Sequence, residues 1–217
     1  MIDLARFFDH TLLKSDATEN DIRNLCHEAV KFNFYSVVVN PVRVSVAVEE
    51  IKNSNVKIGA VSGFPLGTNT THIKKVEALR AELDGADEID VVANLGWFKS
   101  GDFTAVENEL TEIRKSLANS TILKVIIETP ILNADIWLDA CRAVINSGAD
   151  FIKSATGFAG PTPVEHIRKL KEICRDQIHI KAAGGIKSAE TAREMIIAGA
   201  SRIGCSSSVE IMNQIST

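Results

Sequence analysis

The chain has 217 residues, 45% hydrophobic and 24% charged, with a formal net charge of -4 and only 5 prolines. That length buries roughly 70% of the surface an unfolded chain exposes, and the composition is that of ordinary globular proteins rather than disordered or fibrous ones. An acidic balance without a basic patch argues against nucleic acid or an anionic membrane as partner, which leaves small molecules.

Short apolar runs alternate with amphipathic helical patterns along the whole chain. Strand patterns fall at residues 8–12, 35–39, 57–61, 88–92, 122–128, 151–154, 178–182 and 201–204. Helix starts stand between them. Asp16 or Thr18 opens a helix carrying Ile22, Leu25, Cys26 and Ala29; Asn133 precedes Ile136, Trp137 and Ala140; Ser188 precedes Ala192 and Met195. The charged residues between Glu107 and Lys115 read as the solvated face of a helix whose other side carries Val106, Leu110 and Ile113. Three junctions share one grammar: Gly85-Ala86-Asp87, Gly148-Ala149-Asp150 and Gly199-Ala200-Ser201 each put a left-handed helix stop just before a strand. At about 27 residues per strand-plus-helix unit, the pattern predicts an α/β protein with a (β/α)8 barrel, a TIM barrel at the short end of its size range. A doubly wound open sheet uses the same grammar. No linker or compositional shift divides the chain, so one domain over residues 1–217 is expected.

In a parallel barrel the reactive groups sit at the carboxyl ends of the strands. Those ends supply Asp9, Thr11, Asn40, Ser62, Asp90, Asn94, Lys124, Glu128, Lys153, Lys181, Gly204, Ser206 and Ser207. Lys153 closes an apolar strand, in FIKSATGF, where an ammonium is costly to desolvate. Burial and a neighbouring cation such as Lys181 both favour the neutral amine, which attacks carbonyls to give a Schiff base; Asp90 would then move protons. Gly184-Gly185 after the seventh strand and Gly204-Cys205-Ser206-Ser207 after the eighth, with Lys187 nearby, suit a phosphate group.

The remaining features read as structural. Cys26, Cys141, Cys174 and Cys205 are far apart with no C-x-x-C pair, and the five histidines show no zinc-ligand spacing, so reduced thiols and no metal or other cofactor are expected. Trp97 and Trp137 read as packing residues. Asp3, Arg6 and Asp9 interrupt any leader-like run, and no apolar stretch has a membrane-spanning length, so a cytoplasmic protein is expected.

The segments DHTLL (residues 9–13), VNPVRV (39–44), GFPLG (63–67), DEIDVVANLG (87–96), LKVIIET (123–129), GADFIKSATGF (148–158) and KAAGGIK (181–187) together resemble the class I 2-deoxyribose-5-phosphate aldolases over essentially the whole chain. The resemblance implies a (β/α)8 barrel in which Lys153 forms the Schiff base, Lys181 tunes it, Asp90 relays protons and Lys124 lies in the active site. It also implies a phosphate held at Gly157, Gly184, Gly185, Gly204, Ser206 and Ser207. Asp9, Thr11 and Thr156 complete the expected substrate-binding set. Phosphosugar and aldehyde substrates are expected, and a homo-oligomer, dimer or tetramer. The chain departs from the family's usual Lys-Thr-Ser-Thr-Gly with Lys153-Ser154-Ala155-Thr156-Gly157, and its only tyrosine is Tyr35, so no terminal tyrosine is expected to assist. Two alternatives stand beside this reading: a phosphosugar epimerase or isomerase without a covalent step, and a catalytically impaired phosphosugar-binding barrel.

Overall fold

Strands and helices alternate through residues 3–215, the part of the chain that the computed structural model describes. The strands are β1 (Phe8–Leu12), β2 (Ser36–Val39), β3 (Lys57–Ser62), β4 (Glu88–Val92), β5 (Ile122–Ile126), β6 (Phe151–Lys153), β7 (His179–Ala183) and β8 (Arg202–Cys205). The helices are α1 (Glu19–Phe32), α2 (Val44–Ile51), α3 (Thr71–Leu83), α4 (Leu95–Ser100), α5 (Phe103–Ser116), α6 (Trp137–Asn146), α7 (Val164–Cys174), α8 (Ala189–Ile197) and α9 (Ser208–Asn213). Every adjacent strand pair is parallel, and β1 pairs with β8 as well as β2, placing Asp9 opposite Gly204 and His10 opposite Cys205. That pairing closes the sheet into a barrel and excludes the open doubly wound alternative.

Local chemistry explains the boundaries. Thr18, one of the two expected caps, opens α1 with a reciprocal capping box: its hydroxyl accepts from the Asp21 amide, and the Asp21 carboxylate accepts from the Thr18 amide. Ser188 caps α8 through the Thr191 amide, and Asn133 caps a short 3-10 turn that leads into α6. The three junction glycines have φ of 108° (Gly85), 80° (Gly148) and 118° (Gly199), values that only glycine adopts without strain. Strand β5 ends two residues earlier than the apolar run suggested, because Glu128 turns the chain with a φ of 54°.

Alternation along the strands sorts the side chains into two layers. Val37, Val39, Ile58, Ala60, Ile89, Val91, Leu123, Val125, Ile152, Ile180 and Ile203 point outward and pack in the core shared with the helices. Their neighbours Ser36, Glu88, Asp90, Lys124, Lys153, Lys181 and Arg202 therefore point into the barrel, and all are buried. Barrel interiors are ordinarily filled by branched apolar side chains. Here much of that interior is ionic.

One helix differs from its sequence pattern. Val106, Leu110 and Ile113 of α5 are buried as expected, but Glu109, assigned to the solvated face, is only 2% exposed. Its carboxylate accepts from Lys74 of α3 at 2.7 Å, and each member of this pair is inaccessible to solvent through its side chain. An ionic partner on the neighbouring helix permits a charge where the helical period alone implied water.

Candidate active site

Lys153 ends β6, and its register partners are Ile126 on β5 and Lys181 on β7. Its amine donates to Oδ2 of Asp90 at 2.9 Å, and the Lys181 amine donates to the same oxygen at 2.7 Å. Lys124, on β5 directly opposite Asp90, donates to the other Asp90 oxygen at 3.0 Å and to Glu88 at 2.6 Å. Asp9 of β1 closes on Lys181 at 2.5 Å and accepts from Arg202. The barrel thus brings together the four residues expected to be catalytic, with Lys153, Lys181 and Lys124 around the Asp90 carboxylate.

Their protonation follows from geometry. Burial lowers the Lys153 pKa to about 8; Asp90 opposes the fall, while Lys181 and then Lys124 add to it. Burial therefore outranks the lysine-lysine repulsion, and both act in the expected direction. Desolvation would raise the Asp90 carboxyl, but Lys124, Lys153 and Lys181 outweigh it and hold Asp90 well below the usual carboxylate range. Burial would lower Lys124, yet Asp90 and Glu88 keep it an ammonium, raised above its ordinary value. Lys124 and Lys181 are sealed at 0% exposure, whereas Lys153 is 3% exposed and lines the cavity above. One lysine of the three is both readily neutral and reachable.

The cavity, about 600 Å³, opens at the carboxyl ends of β1, β6, β7 and β8. Thr11, Thr156, Gly157, Gly184, Gly185, Gly204, Ser206 and Ser207 all line it, as do Lys14 and Lys187. Gly184 and Gly185 have φ of 100° and 76°, and a Cβ on Gly185 would lie 2.6 Å from the Pro161 side chain, so this turn is shaped by bare backbone. At Gly204 a Cβ would lie 3.0 Å from Lys181 Cε, so the absent side chain makes room for the lysine instead. Among the described residues no cluster of His, Cys, Asp or Glu is arranged to hold a metal ion.

Some expected site residues lie elsewhere. Asp9, expected to touch substrate, is completely buried and does not line the cavity; it is the counter-ion of Lys181 and Arg202. The Ser62 hydroxyl donates to the Lys74 carbonyl, and Asn94 caps α4, so neither strand end faces the cavity. Glu128 accepts from the Thr156 amide and ties β5 to the loop after β6. The two family departures are also turned away from the reaction space: the Ser154 hydroxyl bonds to Thr162 and the Ala183 backbone, and Ala155 is buried. Trp137 is a packing residue as expected, donating to the Leu132 carbonyl and meeting His166 edge-on.

Sequence reasoning missed Arg202, Glu88 and Phe64. Arg202 and Glu88 open their strands, where polar residues look like solvated junctions, yet both point into the barrel. Phe64 lies in the turn after β3 with its ring 6.0 Å from the Lys153 amine and edge-on to Phe158. It gives the Lys153 nitrogen an apolar wall.

Fold and site together define a closed (β/α)8 barrel with a buried, accessible lysine amine at the floor of its carboxyl-end cavity. The chain belongs to the DeoC/LacD family of aldolases, whose family model matches residues 4–210. A curated relative named deoxyribose-phosphate aldolase, from Caldicellulosiruptor saccharolyticus, is 46% identical over 98% of both chains. A solved structure described as QR15, an aldolase, superposes with a TM-score of 0.95 at 41% identity, covering 100% of this chain and 97% of its own. The deoxyribose phosphate aldolase of Aeropyrum pernix, described as having a unique tetrameric structure, has a TM-score of 0.92 at 33% identity, with 99% of this chain and 91% of that one covered.

Proposed function

We propose that this chain reversibly cleaves 2-deoxy-D-ribose 5-phosphate into D-glyceraldehyde 3-phosphate and acetaldehyde through a Schiff base on Lys153. The observation that carries the reading is the Lys153 amine itself, reachable from the cavity and with its pKa pulled down to about 8. Family membership and the names of the relatives support the substrate.

In the cleavage direction, neutral Lys153 attacks C1 of the open-chain sugar, and loss of water leaves an iminium, an electron sink. The C3 hydroxyl loses its proton, the C2–C3 bond breaks, and its electron pair moves to the nitrogen, giving an enamine and glyceraldehyde 3-phosphate. Protonation at C2 and addition of water then release acetaldehyde and the free amine. Lys181, bonded to the same Asp90 oxygen as Lys153, would carry the proton to the reacting centre, with the ionised Asp90 holding it there. Phosphate bound at Gly157, Gly184, Gly185, Gly204, Ser206 and Ser207 would place the far carbonyl, with Lys14 and Lys187 adding positive charge at the rim. Thr11 and Thr156 offer hydroxyls to the sugar. Lys124 and Asp9 act from below, as partners of Asp90 and Lys181.

We read residues 1–217 as one domain that forms a homo-oligomer, dimer or tetramer, in the cytoplasm. The four free, buried cysteines suit a reducing compartment, and no described helix is long and apolar enough to cross a membrane. Turnover of deoxyribose 5-phosphate, followed through the triose phosphate released, tests the activity. The wild type should turn over at between about 1 and 1,000 per second and Lys153→Arg at less than about a thousandth of that. A Lys153→Arg protein that still releases triose phosphate at most of the wild-type rate would rule out the Schiff base. A folded wild type that releases none would favour the isomerase if the sugar is converted without cleavage, and the binding barrel if the sugar is left unchanged.

A further inference from the structure

The cavity floor rests on a closed ring of charge. Arg202 donates to Asp9 at 2.7 Å, Asp9 meets Lys181 at 2.5 Å, and Lys181 meets Asp90 at 2.7 Å. Asp90 meets Lys124 at 3.0 Å, Lys124 meets Glu88 at 2.6 Å, and Glu88 returns to Arg202 at 3.1 Å through both oxygens. Three cations and three carboxylates alternate, contributed by β8, β1, β7, β4 and β5, and none of the six is more than 5% exposed. Ser36 accepts from Arg202, and Tyr35 lies against its guanidinium at 3.5 Å, which completes the coordination of the one member whose contacts span the bottom.

Buried charges are tolerated when they are balanced, and this ring is balanced without Lys153. Lys153 is a seventh ionisable group, bonded only to the Asp90 oxygen that Lys181 already occupies. The groups facing it are Asp90 from β4, Lys124 from β5, Lys181 from β7 and the Phe64 ring, with Lys14 and Lys187 around the cavity. Among the described residues no second carboxylate pairs with it; Glu128, the nearest in sequence to its strand neighbour, is engaged by the Thr156 amide. We propose that Arg202 and Glu88 are positioning residues of the reaction: by closing a neutral ring beneath the site they leave Lys153 without a counter-ion of its own, and so select it as the neutral amine. The proposal rests on the imine reading of Lys153, and on nothing that touches the substrate.

Charge-changing variants on the two sides of the ring have opposite signs, which a merely structural role does not produce. Arg202→Gln leaves the ring with one negative charge in excess, giving Lys153 a counter-ion; Glu88→Gln leaves one positive charge in excess. The rate of borohydride-trappable imine formation with acetaldehyde is measured against pH for each. Arg202→Gln should move the rising limb up by about one pH unit, with trapping at pH 7 down about tenfold, and Glu88→Gln should move it down by a similar amount. The double variant restores neutrality and should return the limb to within a few tenths of the wild-type position. If Arg202→Gln does not fold, Glu88→Gln alone decides, its limb moving down if the proposal holds, with charge-keeping Arg202→Lys as the control that leaves the limb in place. Limbs of Arg202→Gln and Glu88→Gln that stay put, or shift in the same direction, would overturn the proposal while leaving Schiff-base chemistry intact. A folded wild type that traps nothing would overturn the imine reading itself.

Discussion

Lys181→Met should shift the pH dependence of Lys153 through charge, apart from any proton that Lys181 carries. The two amines donate to one Asp90 oxygen at 2.9 and 2.7 Å. Their nitrogens therefore lie within about 6 Å, where two positive charges at an effective dielectric near 20 repel by about 3 kcal/mol, or roughly two pKa units. Methionine keeps the length and apolar bulk of lysine but removes the cation, and leaves the Asp90 oxygen to Lys153. The Lys153 pKa should rise from about 8 to about 10. A raised value keeps the amine protonated over a wider range, so the loss falls on the acid side and is recovered in alkali. At pH 7 the neutral fraction drops from about one in ten to about one in a thousand, a loss of about 100-fold in attack on a carbonyl. The assay is the initial rate of imine formation with acetaldehyde, trapped by borohydride between pH 6 and pH 11. A rising limb displaced by about two pH units to the alkaline side of the wild type's is predicted. A uniformly lower rate with an unmoved limb would refute the electrostatic reasoning and make Lys181 solely a proton carrier.

Further consequences concern packing and binding. Gly204→Ala places a Cβ 3.0 Å from Lys181 Cε and 3.2 Å from Ala183 Cβ, so overpacking should cost about 1–3 kcal/mol in urea unfolding and displace Lys181, lowering kcat more than it changes KM. Lys74→Met and Glu109→Leu, made singly, should each destabilise by about 3–5 kcal/mol because each strands a buried charge, whereas the double variant should lie close to wild type; additive losses in chemical denaturation would contradict this. Ser206→Ala combined with Ser207→Ala should raise KM for the phosphorylated sugar about tenfold or more while leaving the rate of acetaldehyde trapping on Lys153 unchanged. Equal losses in both assays would place those serines in the chemistry rather than at the phosphate.

The barrel was legible because its signals are local. Each strand is a short apolar run, several helices open on a side-chain cap such as Thr18 or Ser188, and the glycines at 85, 148 and 199 mark the returns to the sheet. Closure was not legible, since it depends on β1 meeting β8 across almost the whole length of the chain. Lys153 stood out because a lysine ending an apolar strand contradicts its surroundings. Arg202 and Glu88 did not, because a charged residue after a helix-stop glycine is usually solvated, and only the inward alternation of a closed sheet brings the two together. Asp9 looked like a strand-end ligand for the same reason: the sequence shows which residues end a strand but not how deep in the barrel each one sits. Glu109 was hidden by its partner, since nothing along α5 announces that Lys74 of α3 waits opposite.

The central claim is that Lys153 is the imine-forming nucleophile, and the most direct measurement locates the covalent adduct. Wild-type protein is incubated with acetaldehyde, reduced with borohydride, digested and mapped by mass, beside a Lys153→Ala control. The account predicts an N-ethyl group on Lys153, none on the sealed Lys124 and Lys181, and none anywhere in the floor of the control. An adduct on Lys181 with Lys153 unmodified, or no selective adduct in folded protein, would contradict it.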